Sequence, residues 1–302
     1  MLSVRSLTRS YGDRRVLDDV SFDVEPGRLT GFVGANGAGK TTTMRIMMGV
    51  LAPDSGEVLW NGEPVRDDTR RSFGYMPEER GLYPKMKLLD QLVFFARLHG
   101  MSRDDASRRA TELLDHLGLG DRAGDVLETL SLGNQQRVQI SAALVHRPGA
   151  LVLDEPFSGL DPLAVESMVD LLRNEASDQV PLLFSSHQLE LVERICDDLV
   201  ILSDGAVVAA GSASSLRDRG PARLRVVFAE GTDAGLVREV PGAVVTDVDG
   251  STALLELVSP GENTDREKAE AELLAALVSR APVREFARVV RPLSEIFREV
   301  IR

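Results

Sequence analysis

The chain has 302 residues, of which 43% are apolar, 27% charged and 5% aromatic, a length that suits two domains with a core each. Its 35 basic and 47 acidic residues leave a net charge of −12, which argues against nucleic acid or an anionic membrane surface as a partner. No apolar run reaches the length of a membrane-spanning helix, and the opening MLSVRSLTRSYG lacks the apolar stretch of a secretory signal, so a cytoplasmic location is expected. The single cysteine, Cys196, excludes an intrachain disulfide framework and a cysteine-rich zinc site.

Short apolar runs alternate with helix-like segments as far as about residue 210. Strands are predicted at 2–7, 17–24, 29–33, 58–60, 73–76, 151–153, 182–185 and 199–202. Helices are predicted at 40–49, 88–98, 103–117, 133–145, 163–175 and 188–196. Unbroken apolar runs such as ALVLD and PLLFSS suit parallel strands covered on both faces by helices. The small and charged SASSLRDRGP then reads as a boundary, separating a first domain at 1–215 from a second at 222–302.

Beyond the boundary come a strand at 224–229, a short helix from Asp233, and strands at 243–248 and 253–258 about the Asp249-Gly250 turn. A helix at 264–279 puts Leu273, Leu274 and Leu277 on one face, and a strand at 283–290 and a helix from Pro292 close the chain. This order fits a small α+β domain of the split βαβ type. The last 23 residues hold six arginines against three glutamates and read as a solvated amphipathic face.

Five segments carry chemistry. The run Gly34, Ala35, Asn36, Gly37, Ala38, Gly39, Lys40, Thr41, Thr42 follows the strand LTGFV and opens a helix, which is the phosphate-loop pattern in its strand–loop–helix setting. There the glycines let backbone N–H groups converge on nucleotide phosphates at a helix N-terminus, Lys40 reaches the β- and γ-phosphates, and the Thr41 hydroxyl suits Mg²⁺. The strand ALVLDE ends in two acids: Asp154 suits magnesium, and Glu155 can accept a proton from an attacking water. LSLGNQQR at 130–137, SGLD at 158–161 and His187 at the end of LLFSSH complete the set.

In this order the segments resemble the ATP-binding subunits of ABC transporters, over residues 1 to about 215. The resemblance implies a P-loop α/β domain with a helical insertion from about Leu88 to Leu144, hydrolysing ATP with Mg²⁺. It matches Tyr11 to an aromatic that stacks on adenine and His187 to a residue that contacts the γ-phosphate. The Ser131 hydroxyl and the Gly133 N–H would cover the γ-phosphate held by a second copy, although Ser131 also suits a plain helix N-cap. A homodimer sandwiching ATP and a separate transmembrane permease subunit on the cytoplasmic face are therefore the implied partners. The apolar Leu82, Tyr83, Met86, Leu88 and Leu89 fall where family members receive a helix of that subunit.

Two departures stand out. Leu132 and Asn134 replace the usual glycine and glutamine of the LSGGQ signature, and Glu78 in FGYMPEERGLY takes the position of the family's glutamine. Both resemble a branch of bacterial ABC-2-type exporter ATPases that includes sodium and drug efflux subunits. A carboxylate at 78 is a harder ligand than an amide and adds charge beside a triphosphate, so a steeper Mg²⁺ dependence is expected. The rival reading is a soluble ABC ATPase with a regulatory role, and retention of Glu155 and His187 speaks against an inactive subunit.

Overall fold

A computed structural model describes residues 1–79, 81–176, 179–217, 222–258 and 263–289, with Pro292, Glu295 and Phe297. The first strands, β1 (Leu2–Tyr11) and β2 (Arg14–Val24), form a hairpin in which Tyr11 faces Arg14 across a tight turn at Gly12. Gly12 adopts a φ of 58°, a conformation that costs a side-chain-bearing residue more than glycine. Then follow β3 (Leu29–Val33), α1 (Lys40–Met47), β4 (Ser55–Trp60), β5 (Glu63–Pro64), α2 (Asp67–Arg70) and β6 (Phe73–Met76). Next come α3 (Leu88–Leu98), α4 (Arg103–His116), α5 (Leu132–Leu144), β7 (Ala150–Leu153) and α6 (Pro162–Ala176). The series continues with β8 (Leu182–Ser186), α7 (Leu189–Ile195), β9 (Asp198–Ser203), β10 (Ala206–Ser212) and α8 (Ala213–Arg217).

Two sheets organise these elements. The six-stranded one runs β10-β9-β3-β8-β7-β6 and is parallel from β9 through β6, with β10 antiparallel at its edge. Every residue of β3, β7 and β8 is buried, which is why their sequences read as unbroken apolar runs. The other sheet, β2-β1-β4-β5, is antiparallel and was not foreseen as a separate layer. Leu2, Val4, Leu17 and Val20 from it bury against Phe32, Val152 and Leu183 of the parallel sheet in one core. Truncating a buried leucine there, such as Leu183→Ala, costs about 2–5 kcal/mol.

Helices α3, α4 and α5 leave the sheet after β6 and return to it at β7, in the stretch expected to be a helical insertion. Ser102 caps α4 by accepting from the Asp105 N–H at 3.1 Å. The strand β10 and the one-turn helix α2 were not predicted. The sequence of β10, AVVAAGS, has no alternation, and α2 is too short to show a period.

The chain divides into two compact units between Ala213 and Ser214. The segment read as a linker therefore contains α8. In the second unit β11 (Arg223–Phe228), β12 (Ala243–Asp249), β13 (Thr252–Leu257), α9 (Asn263–Val278) and β14 (Val283–Val289) build one antiparallel sheet, β12-β13-β11-β14. The two strands that follow crossovers thus occupy the edges, and β11 and β13 the centre, as the split βαβ reading requires. Leu224, Val226 and Phe228 pack with Leu255, Leu257, Leu273 and Leu277 in its own core. The short helix expected from Asp233 is a 3-10 turn, Ala234–Glu239, capped by Asp233 accepting from the Gly235 N–H at 2.8 Å. The expected helix from Pro292 falls outside the described residues apart from Pro292, Glu295 and Phe297.

Candidate active site

The phosphate loop is held by close approach on both sides. A Cβ at Gly34 would lie 2.4 Å from the Leu202 carbonyl oxygen, and one at Gly39 would lie 2.5 Å from Leu17. Gly39 also sits at φ 109°, so the loop tolerates only glycine at these two ends. Between them the chain curls over its own lysine: Lys40 Nζ donates to the carbonyls of Gly34 at 2.7 Å and Ala35 at 3.2 Å. Helix geometry leaves the first N–H groups of α1 without an intrahelical acceptor, and its first turn carries no acidic residue. That end of the helix is suited to an anion.

An open cleft of about 420 Å³ lies over this loop. Tyr11, Asn36, Gly37, Gly39, Lys40, Thr41, Thr42, Glu78, Asp154 and Glu155 line it, joined by Arg14 and Val16, which the sequence reading did not single out. Gly34, Ala35 and Ala38 shape the loop without lining the cleft. Tyr11 is half-exposed, with the Arg9 guanidinium 5.2 Å from its ring centroid. Burial lowers the Lys40 pKa, and the carboxylates of Glu155, Asp154 and Glu78 oppose that shift. One buried ammonium therefore faces three acids.

At the end of β7, Asp154 is buried and its Oδ1 accepts from Ser185 Oγ at 2.5 Å. The same Ser185 oxygen accepts the Glu155 N–H at 2.8 Å, so one hydroxyl on β8 fixes both acids. Glu155 adopts a φ of 51°, rare for a side chain of its kind. Its Oε1 meets His187 Nδ1 at 3.0 Å. His187 lies behind the acid and does not itself line the cleft. Gln136 of α5 donates to the carbonyls of Glu155 at 3.1 Å and Pro156 at 3.0 Å, holding the acid loop from the other side.

Asp154 Oδ2 is buried with no hydrogen-bond partner. A buried carboxylate oxygen left so is costly unless something else satisfies it. With Thr41 and Glu78 lining the same cleft, the donors are all oxygen, as magnesium requires. Among the described residues no group of three or more His, Cys, Asp or Glu side chains is placed to hold a metal unaided. Magnesium that is also bound by substrate phosphates does not need such a cage.

Ser131 is the N-cap of α5 and accepts from the Asn134 N–H at 3.4 Å. Gly133 packs on the SGLD loop, where an added Cβ would lie 3.4 Å from the Gly159 carbonyl oxygen. Leu132, in the usual place of a glycine, is 61% exposed. Neither Ser131 nor Gly133 lines the cleft around Lys40 of its own chain.

Sequence reasoning missed Ser185, Gln136 and Gln139. Their placement left a signal, though their partners did not: Ser185 lies near the end of β8, two residues before His187, and the two glutamines lie three apart on the buried side of a helix.

The strand–loop–helix, the paired acids and the capped signature helix define a P-loop ATPase of the ABC class. Residues 17–158 match the family model for ABC transporters. The ABC transporter ATP-binding protein YhaQ of Bacillus subtilis is 35% identical over 301 residues, covering 100% of this chain and 98% of its own. Nod factor export ATP-binding protein I of Cupriavidus metallidurans is 32% identical over 302 residues, covering 98% and 96%. A solved ATP-binding subunit of an ABC transporter superposes with a TM-score of 0.67 at 35% identity, over 72% of this chain and 92% of that one. A dimeric bacterial ABC transporter cassette shares the fold, with a TM-score of 0.63 at 24% identity over 70% and 99%. The chain belongs to the ABC transporter ATP-binding proteins, a family of ATPases.

Proposed function

We propose that this chain is the ATP-hydrolysing subunit that energises a membrane exporter of the ABC-2 type, working as a homodimer on a separate transmembrane subunit. The observation that carries the reading is the Glu155–His187 contact of 3.0 Å beside Asp154, whose second oxygen is unpartnered. Lys40 and the loop N–H groups bind the β- and γ-phosphates, and Tyr11 stacks on adenine. Thr41, Asp154 and Glu78 would hold Mg²⁺, which would supply charge neutralisation at the phosphates. Glu155 orients the attacking water and takes its proton, and His187 keeps that carboxylate in place.

Ser131 and Gly133 lie outside the cleft of their own chain, which favours their use on the nucleotide of a second copy. The dimeric cassette among the structural neighbours supports the same arrangement. Closing such a dimer is a rigid-body step that can be passed to a partner. Among the described residues no helix is long and apolar enough to cross a membrane, so translocation falls to another polypeptide in this reading. The Nod factor export relative, similar over nearly the whole chain, supports export as the direction. The second unit, from Ser214, acts as an accessory domain.

Phosphate release by the purified chain tests the reading. Wild type should hydrolyse ATP, and Glu155→Gln should bind ATP yet turn over about two to four powers of ten more slowly. Turnover by Glu155→Gln at the wild-type rate would remove Glu155 as the base.

A further inference from the structure

One helix grips both acidic loops of the cleft. Gln136 of α5 holds the loop after Asp154, as described above. Gln139, one turn further on and also buried, donates from Nε2 to the Pro77 carbonyl at 2.8 Å and to the Glu79 carbonyl at 3.3 Å. Those acceptors flank Glu78 on either side. An amide that meets two carbonyls must present its NH₂, so the orientation of Gln139 is fixed by its partners. Its Oε1 is buried without a partner, which leaves the two donated bonds as what the structure gains from a polar group here.

The same helix also rests on the strand that leads to Glu78. A Cβ at Gly74 of β6 would lie 2.3 Å from the Ala143 carbonyl of α5, a contact that only glycine permits. Helix and strand are thus locked at Gly74, and the chain beyond the strand is locked again at Pro77 and Glu79. Glu78 sits between the two clasped carbonyls and faces the cleft, where its charge acts on Lys40.

We propose that Gln139 is the positioning residue for Glu78: by holding the carbonyls of Pro77 and Glu79 it sets where the Glu78 carboxylate stands in the nucleotide cleft, and so how strongly ATP binding depends on Mg²⁺. The proposal rests on the reading above that Glu78 faces Mg²⁺-ATP. Gln136 acts on the other loop, the one that follows Asp154. The signature residue Ser131 caps the same helix, so engagement of a second copy there pulls on the support of both acids.

The readout is the ratio of fluorescent ATP-analogue affinities with Mg²⁺ and with EDTA, measured on the full chain. Glu78→Gln relieves repulsion of metal-free nucleotide and removes a hard ligand, so the ratio should fall about fivefold. Gln139→Leu should lower it to a similar extent, and the double variant no further, because both act through one carboxylate. An unchanged ratio in Glu78→Gln would overturn the placement of Glu78 itself. A lowered ratio in Glu78→Gln with an unchanged one in Gln139→Leu, or additive effects in the double variant, would overturn the role of Gln139 alone. If Gln139→Leu does not fold, the volume-matched Gln139→Met is measured in its place. If both unfold, Gln139 is a core residue and the proposal fails.

Discussion

His187 Nδ1 stands 3.0 Å from Oε1 of Glu155, while the backbone of Glu155 is tied at 2.8 Å to Ser185, two residues before that histidine. Side chain and main chain of one acid are therefore held by a single strand end. An acid whose backbone sits at a φ of 51° needs such restraint, because nothing in its local sequence prefers that conformation. His187→Ala should leave ATP affinity near wild type and lower turnover by about two powers of ten. Rate and affinity measured together check this. A loss of affinity with turnover intact would mean that the histidine holds nucleotide rather than Glu155.

A stacked histidine pair should contribute to acid sensitivity. The rings of His99 and His146 stack with centroids 3.7 Å apart, each ring bonded to a backbone carbonyl, of Arg71 and Phe73 respectively. Burial, and then the neighbouring His99, lower the His146 pKa from 6.5 to about 4. The native state thus refuses a proton that the unfolded chain accepts below about pH 6.5. Stability should fall as pH drops from 6.5 to 4 and level off below, when the native imidazole also charges. After allowance for solvent screening the loss is about 2 kcal/mol. Urea midpoints at pH 7 and 4.5 measure it, and His146→Phe should flatten the difference.

The two compact units meet at Ala213–Ser214, within α8, and each has its own buried cluster. A chain shortened to residues 1–217 keeps every residue that lines the cleft. It should melt cooperatively and bind ATP with wild-type affinity in calorimetry. Insolubility of the shortened chain would mean that the two clusters stabilise one another.

Tyr83 is 51% exposed, stacks on Phe95 with centroids 6.1 Å apart and meets Phe94 edge-on at 6.0 Å. Phe94 and Leu98 continue the exposed apolar surface along α3. Clustered surface aromatics of this kind suit a docking surface, and the proposed transmembrane subunit would seat there. Tyr83→Asp and Phe94→Asp should release the chain from membranes that carry its partner, with melting temperature and ATP binding unchanged. Sedimentation of the variants with membranes at the wild-type level would remove this patch as the contact.

The fold and site were legible to different degrees, for physical reasons. Strands β3, β7 and β8 announced themselves because burial on both faces favours apolar residues. The phosphate loop was equally plain, since Gly34 and Gly39 are imposed by contacts of 2.4 and 2.5 Å and Lys40 by charge. By contrast β10, an antiparallel edge of small residues, left no period to read. Gln136 and Gln139 were hidden because they act on backbone carbonyls, which every residue has, so their partners cannot be inferred from side-chain types. His187 could be named from its motif, but its contact with Glu155 needed coordinates.

Glu155→Gln gives the most direct test of the central claim, that two copies complete one another's ATP sites and hydrolysis reopens them. Light scattering after size exclusion reads the mass of this variant with and without Mg²⁺-ATP. The account predicts one chain without nucleotide and two with it, and return to one chain when Ser131→Arg is added, because the signature then cannot approach the partner's phosphates. A mass of one chain at saturating Mg²⁺-ATP, with nucleotide bound, would contradict it.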